Sequence, residues 1–517
     1  MVHQTAKESK ALVGYTISEV VMNFLLLFAC RTTVNTQTDI QSNVEDTAVE
    51  ELAPTEEVQI NIDVPPHYWI TDTLTFSSTD RVGEILQYEW SCNNGITGTE
   101  PTLEFTSDQP GKIECSLRVS GLDNEYTTTA NTMVHAAAEN AEWTILVYLG
   151  GDNNLEEAAI IDLNEMEKVG SDENINIIVE LDRSRSHYQG HDNWYGAKRY
   201  YVVKDTTTHP ESDFDEVVSI ERMSLGEVDS GDPETMTDFL HWGITEFPAK
   251  KVAVIFWNHG WSWSLQSSTP TIKGIISDDG SGNDISIAEG ELSSILSQIS
   301  EDLDRPIDLL GMDACVMQSW EIATDAAPFA DLLVASQDYV SWAGWSYDTF
   351  LKDLATNPSM EGLTLANHIG ERFYESGDLT ISTVDLTQIG EFNQQLDELA
   401  TQLMEQPAGI LTEVSRSTYS PDGGEYGNDH DLFGLLNGLQ SKSLSTETLE
   451  QIDILLDQQS TLLPHNHVDS SMSNANGLSI FAPPAQNWEL DNAYFSASWA
   501  EHQWDELLAR EQESNLQ

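Results

Sequence analysis

Val252-Ala253-Val254-Ile255-Phe256-Trp257 runs without a polar residue into Asn258-His259-Gly260, and Ile307-Asp308-Leu309-Leu310-Gly311-Met312 runs into Asp313-Ala314-Cys315. Both runs are short and largely apolar, the pattern of strands buried on two faces of a parallel sheet. The stretch 286–303 between them has helical periodicity, so the three segments form a strand-helix-strand unit. In such a unit both strands end on the same sheet edge, where open α/β folds place their sites. An imidazole and a thiol then stand on neighbouring strand tips, the two parts that a cysteine hydrolase needs. His259 and Cys315 are the candidate catalytic pair.

Working outward, the same alternation of elements extends from residue 143. Strands are expected at 144–149, 175–181, 199–203, 252–257, 308–312 and 332–336, and helices at 154–168, 233–246, 286–303 and 318–326. This is an α/β pattern: a mainly parallel sheet with helices on both faces, spanning 143–388. Helices predominate over 389–517, broken by a strand at 477–481. Before it, 57–137 shows short alternating strands punctuated by turn residues every ten or so positions, the pattern of a small β-sandwich. It is similar to Ig-like or PKD-like modules. The stretch 31–56 is rich in Thr, Gln, Asp and Glu and reads as a disordered tether.

Eighty-seven acidic residues stand against 22 basic ones, a formal net charge of −65 spread along the chain. With no basic stripe to displace phosphate counterions, nucleic acid is excluded as a partner. The acidity fits a heavily solvated, exported protein. Residues 1–30 fit export too: Lys7 and Lys10 precede an apolar core ending at Ala29-Cys30, which resembles a bacterial lipoprotein signal. Cys30 is then a lipidation site tethering the chain to an outer membrane or cell surface, the other expectation being simple secretion. Cys92 and Cys115 both fall in the sandwich segment, where a disulfide between them suits an exported protein; two buried free thiols are the alternative. Cys315 has no partner left, and catalysis explains an unpaired thiol.

The residues around the two tips resemble the clostripain family of cysteine peptidases, relatives of caspases, legumains and gingipains. The similarity covers His259-Gly260 and Asp313-Ala314-Cys315. It also covers Trp143 to Leu155 with its Gly150-Gly151-Asp152-Asn153-Asn154, Gly231 to Thr235, Gly344 to Tyr347, Ser382 to Leu386 and Gly477 to Phe481, in the family's order. It implies a caspase-like fold and peptide hydrolysis through a Cys315/His259 dyad that need not rest as a tight ion pair. Asp313, two residues before the cysteine, is implied to select Arg or Lys in the S1 pocket, with Asp338 and Asp348 as further candidates there. The family's zymogens cut themselves after a basic residue between the His and Cys strands. Lys273-Gly274, in a polar stretch over 261–276, is the candidate bond here. The resemblance leaves room for calcium, for which Asp278, Asp279 and Asp284 offer clustered oxygens without EF-hand spacing. No cofactor is required for the chemistry itself.

Read from the residues alone, glycine after His259 lets the backbone approach a substrate, so the N–H groups of Gly260 and Cys315 are the expected oxyanion donors. Asn258 is placed to orient the loop. There is no His-Glu-x-x-His, Gly-x-Ser-x-Gly or phosphate-binding loop, which disfavours zincin, serine-hydrolase and nucleotide chemistry. The competing expectation is a surface binding protein whose peptidase-like domain is silent. The retained His259/Cys315 pair argues against it. Proteins or peptides carrying Arg or Lys are therefore the expected partners.

Overall fold

Nine strands of one sheet carry the computed structural model, which describes residues 60–80, 85–121, 124–206, 216–263, 274–377, 379–421, 428–483 and 493–515. In chain order the strands are β1 (Ala141–Gly151), β2 (Ile175–Arg183), β3 (Gly196–Tyr201), β4 (Ile220–Gly226), β5 (Ala249–Trp257), β6 (Leu309–Asp313), β7 (Leu332–Ala335), β8 (Thr380–Asp385) and β9 (His465–Val468). Across the sheet the order is β4-β3-β2-β1-β5-β6-β7-β8-β9. The central five, β2-β1-β5-β6-β7, run parallel. The outer pairs β3/β4 and β8/β9 are antiparallel. The expectations at Cys30, over 1–30 and 31–56, and at Lys273 lie outside the described residues.

Period-two alternation explains why the central strands read as continuous apolar runs. Leu146, Tyr148, Val254, Phe256 and Met312 point to one face, into a core shared with α2 (Pro233–Glu246), α3 (Glu291–Leu303) and α4 (Trp320–Ala326). Ile145, Val147, Ala253, Ile255 and Val334 point to the other. There they meet α1 (Glu156–Glu167), α5 (Tyr347–Thr356) and α6 (Gly362–Glu375). Capping follows local rules: the Asp232 carboxylate accepts from the Glu234 N–H with Pro233 at the first helical position, and the Ser319 hydroxyl caps α4.

Two elements differ from the expectation. The helix expected from residue 286 begins at Glu291, because Asn283–Ser286 is a strand that pairs with Gly274–Asp278 in a hairpin. Gly290, at φ +79°, makes the turn into α3. The strand expected over 477–481 is Ser479–Phe481, and it pairs with Asp429–Asp431 rather than joining the central sheet. The chain after residue 388 is mostly helical, from α7 (Ile389–Met404) onward, and it also supplies β9.

Ahead of the sheet lies a β-sandwich of three and five strands. Cys92 and Cys115 face each other on neighbouring strands of its larger sheet and form a disulfide. Trp69, nearly buried, packs on Tyr201 and Phe247 of the α/β domain, with the Arg222 guanidinium 4.0 Å above its ring. Among the described residues no helix is long and apolar enough to cross a membrane.

The edge of the sheet is closed by buried ion pairs. Arg199 on β3 donates to Glu180 on β2 at 2.6 Å, both side chains almost inaccessible, and reaches Asp238 on α2 at 2.8 Å. Burial pushes Glu180 up to about 7 and Arg199 opposes that shift. Removing one partner of such a pair strands the other charge, at a cost of about 3–5 kcal/mol. Arg199→Ala should therefore lower the urea midpoint markedly, whereas Arg199→Met with Glu180→Met should recover most of the loss.

Candidate active site

Parallel pairing of β5 and β6 sets Trp257 opposite Asp313. Two residues further on, each strand delivers its reactive side chain: His259 from β5 and Cys315 from β6. Both line a cleft of about 230 Å³, with Asp313, Leu155, Val340, Trp342 and Gly344 among its other walls. Cys315 is a free, half-buried thiol. Its Sγ lies 3.4 Å from the Val340 nitrogen, so one wall of the cleft rests on the nucleophile's own sulfur.

The His259 ring is held from behind. Its Nε2 lies 2.9 Å from Asn154 Oδ1, an atom that can only accept, so Nε2 carries the proton and Nδ1 is left free. Burial pushes this imidazole below its ordinary 6.5, with Asp279 opposing, so the ring is neutral at neutral pH. Asn258 is fully enclosed. Its Nδ2 donates to the carbonyls of Gly150 (2.6 Å) and Ser277 (2.9 Å), and its Oδ1 accepts from Asn153 Nδ2 (3.1 Å) and from the His259 N–H. The amide thus ties the His loop to the tip of β1 and to the hairpin.

The backbone is tight at the two tips. A Cβ on Gly260 would stand 2.5 Å from the Cys315 carbonyl oxygen and 2.9 Å from Ala314 Cβ. Val316, the residue after the thiol, has φ +53°, and Ile276 in the hairpin has φ +62°. Branched side chains avoid this region, so both positions store strain that the surrounding packing must hold.

Below the thiol, the floor of the cleft is acidic. Asp313 is 3% exposed, and its Oδ2 accepts from the Trp345 N–H at 2.9 Å and the Tyr347 hydroxyl at 3.2 Å. Asp162, on α1, is buried beside it and accepts from the Trp257 indole at 2.6 Å. Gly344 (φ +62°) sits against both: a Cβ there would be 3.0 Å from Asp313 Oδ2 and 3.2 Å from Asp162 Oδ2. Burial first, then Asp313 and Asp162, pushes the Tyr347 phenol well above its ordinary range, so it remains a donor.

The other expected site residues divide. Asp338 is buried but does not line this cleft. Its carboxylate accepts from the Tyr419 hydroxyl and its carbonyl from the Val316 N–H, so it braces the turn after Cys315 rather than joining Asp313. Asp348 sits at the start of α5 and pairs with Lys168 at 3.6 Å. Gly274 is held beside the His loop, its carbonyl accepting from the Trp261 N–H at 3.0 Å. The stretch 278–284 does not gather its carboxylates. Asp279 turns outward to His187 (3.0 Å), Asp278 turns inward to Ser230, and Asp284 is buried on the second hairpin strand. Asn153, Asn154 and Asp162 have site contacts that sequence reasoning did not assign. The paired asparagines directly after β1, on the same sheet edge, were the available signal.

Comparison with known proteins agrees with this geometry. The family model described as the clostripain family matches residues 147–509. Clostripain of Hathewaya histolytica is 26% identical over 403 residues, covering 67% of this chain and 75% of that protein. Among solved structures, a secreted C11 cysteine protease from Bacteroides thetaiotaomicron in complex with an irreversible peptide inhibitor superposes with a TM-score of 0.55 at 22% identity, over 71% of this chain and all of that one. An inactive zymogen C11 protease from Parabacteroides distasonis gives 0.54 at 18%, over 70% and 97%.

Iodoacetamide on the native protein should modify Cys315 and leave Cys92 and Cys115 untouched. Gly260→Ala, by crowding the thiol-bearing turn, should slow that alkylation at least about tenfold, as read by peptide mass mapping.

Proposed function

The chain belongs to the clostripain family of cysteine peptidases and is a peptide hydrolase, and from that premise we propose that it is an exported endopeptidase cleaving after Arg or Lys through Cys315 and His259. The observation that carries the reading is the shared cleft: thiol, imidazole and a buried carboxylate on its walls, with no Lys or Arg among its lining residues.

In this mechanism the Cys315 sulfur attacks the scissile carbonyl carbon and its proton passes to His259 Nδ1. The N–H groups of Gly260 and Cys315 receive the oxyanion. As the C–N bond breaks, His259 returns the proton to the leaving amine. Water, deprotonated by the same nitrogen, then hydrolyses the thioester and frees the thiol. Asn154 fixes the tautomer this requires. The P1 guanidinium or ammonium enters the floor toward Asp313, with Asp162 adding negative charge; a planar guanidinium suits a carboxylate bidentately.

Activation by self-cleavage at Lys273-Gly274 is part of the same proposal. Its support is Gly274, which is bonded to Trp261, two residues past His259. The N-terminal reading, export with a lipid on Cys30, rests on residues 1–30 alone.

Three measurements test this. Asp313→Asn should lower kcat/KM on Arg-ending peptides about 100-fold (roughly 3 kcal/mol for a buried charge partner); equal turnover of Asp-ending peptides by the parent enzyme would remove the specificity. The acid limb of kcat/KM should fall below pH 6.5, because only protonation of the depressed His259 abolishes the base. Lys273→Ala should remain a single chain on denaturing gels, and a variant still split at that bond would refute the processing site.

A further inference from the structure

A second set of carboxylates converges away from the Cys315 cleft. Asp152 follows β1, Asp182 lies in β2, Glu227 follows β4 and Asp278 ends the first hairpin strand. They surround a cavity of about 370 Å³ walled in part by Asp152, Ser184, Glu227, Asp279 and Gly280. Gly280 leaves open a point that a Cβ would fill. That point is 2.5 Å from Asp152 Oδ2, 3.1 Å from Glu227 Oε1 and 3.2 Å from Asp278 Oδ1. Three oxygens from three separated segments thus face one small space.

Asp182 supplies the independent sign that something belongs there. It is 1% exposed, and neither carboxylate oxygen has a hydrogen-bond partner among the described residues. An ionised carboxylate in that condition is costly unless a cation joins it. Burial, and then Asp278, Asp152 and Glu227, push it up to about 9. The nearby cations are spent at the rim: Arg185, 65% exposed, lies 3.4 Å from the other Glu227 oxygen, and His187 pairs with Asp279.

We infer that Asp152, Asp182, Glu227 and Asp278 bind one hard divalent cation of the calcium class. Such an ion takes six to eight oxygens at about 2.3–2.6 Å, in flexible geometry. Among the described residues no three such side chains have already closed into a formed metal-ligand set, so binding draws these oxygens inward. The site corrects the expected ligand set: Asp278 stays, while Asp279 and Asp284 give way to residues from β2 and from the ends of β1 and β4. Its consequence is mechanical. Asp152 and Asp278 neighbour Asn153 and Ser277, whose contacts hold Asn258, and the Asp279 N–H already bonds the Asp152 carbonyl at 2.7 Å. A cation here pins the hairpin that follows the candidate cleavage bond to the sheet edge bearing His259. No catalytic step passes through it, and the inference does not depend on the proposed peptide specificity.

The test is isothermal titration of calcium chloride into the full chain carrying Cys315→Ala, which makes binding readable without turnover. The expected result is saturable uptake at one site, with a rise in melting temperature. Adding Asp182→Asn should weaken the affinity at least tenfold. Gly280→Ala, which places a methyl among the oxygens from an ordinary backbone conformation, should do the same, and it serves if Asp182→Asn fails to fold by circular dichroism. No saturable uptake by the parent would overturn the inference. Undiminished uptake by the folded variants would overturn it too, leaving Asp182 as a buried protonated acid that Asn replaces without loss.

Discussion

The parallel register of β5 against β6 is the constraint on which the rest depends. With Trp257 opposite Asp313, equal two-residue extensions bring His259 and Cys315 to the same level at the sheet edge. Sliding one strand by a single residue would turn every side chain to the opposite face. The alternating cores on both sides of the sheet forbid that, because Val254 and Phe256 are buried on one face and Ala253 and Ile255 on the other. Catalytic geometry is therefore fixed by apolar packing that takes no part in the chemistry. What remains at the tips is local strain, at Val316 and Gly260, held by that packing.

Charge is distributed by the same logic. The chain carries only 22 Lys and Arg, and some are committed to buried partners: Arg183 to Glu156 at 2.8 Å and Arg199 to Glu180 at 2.6 Å. Those pairs lie on the β2–β3 side of the sheet. The catalytic floor and the cavity around Asp182 keep carboxylates without a lysine or arginine of comparable burial beside them. A negative floor beneath a neutral imidazole favours a cationic side chain at P1 while leaving the base free to accept a proton. Uncharged hydrogen bonds then orient the base, since the amides of Asn154 and Asn258 fix the ring and its loop without adding charge.

Much of this was legible in the residues. The runs ending at Trp257 and Met312 identified both strands and both reactive tips, because a buried parallel strand must be apolar on two faces. Boundaries set by tertiary contact were not legible. Helix α3 starts five residues later than its periodicity suggests because Ile285 and Ile287 serve a hairpin and the turn after it. Strand β9, His465–Val468, is polar in sequence and joins the sheet only because β8 offers it an edge. In the site, Asp313 could be read from its spacing to Cys315, but Asp338 could not be separated from it, since both follow strands on the same edge. Asp338 is claimed by Tyr419, 81 residues away. Asp162 sits mid-helix among other acids, and only the packing of α1 under Trp257 gives it a role.

The most direct test of the central claim is to trap the enzyme covalently with a peptidyl arginyl chloromethyl ketone and map the adduct by mass spectrometry. The account predicts one adduct, on the Cys315 sulfur, formed far more slowly in His259→Ala and absent from Cys315→Ala. An adduct on another residue, or inactivation at an unchanged rate without His259, would contradict the shared cleft on which the mechanism rests.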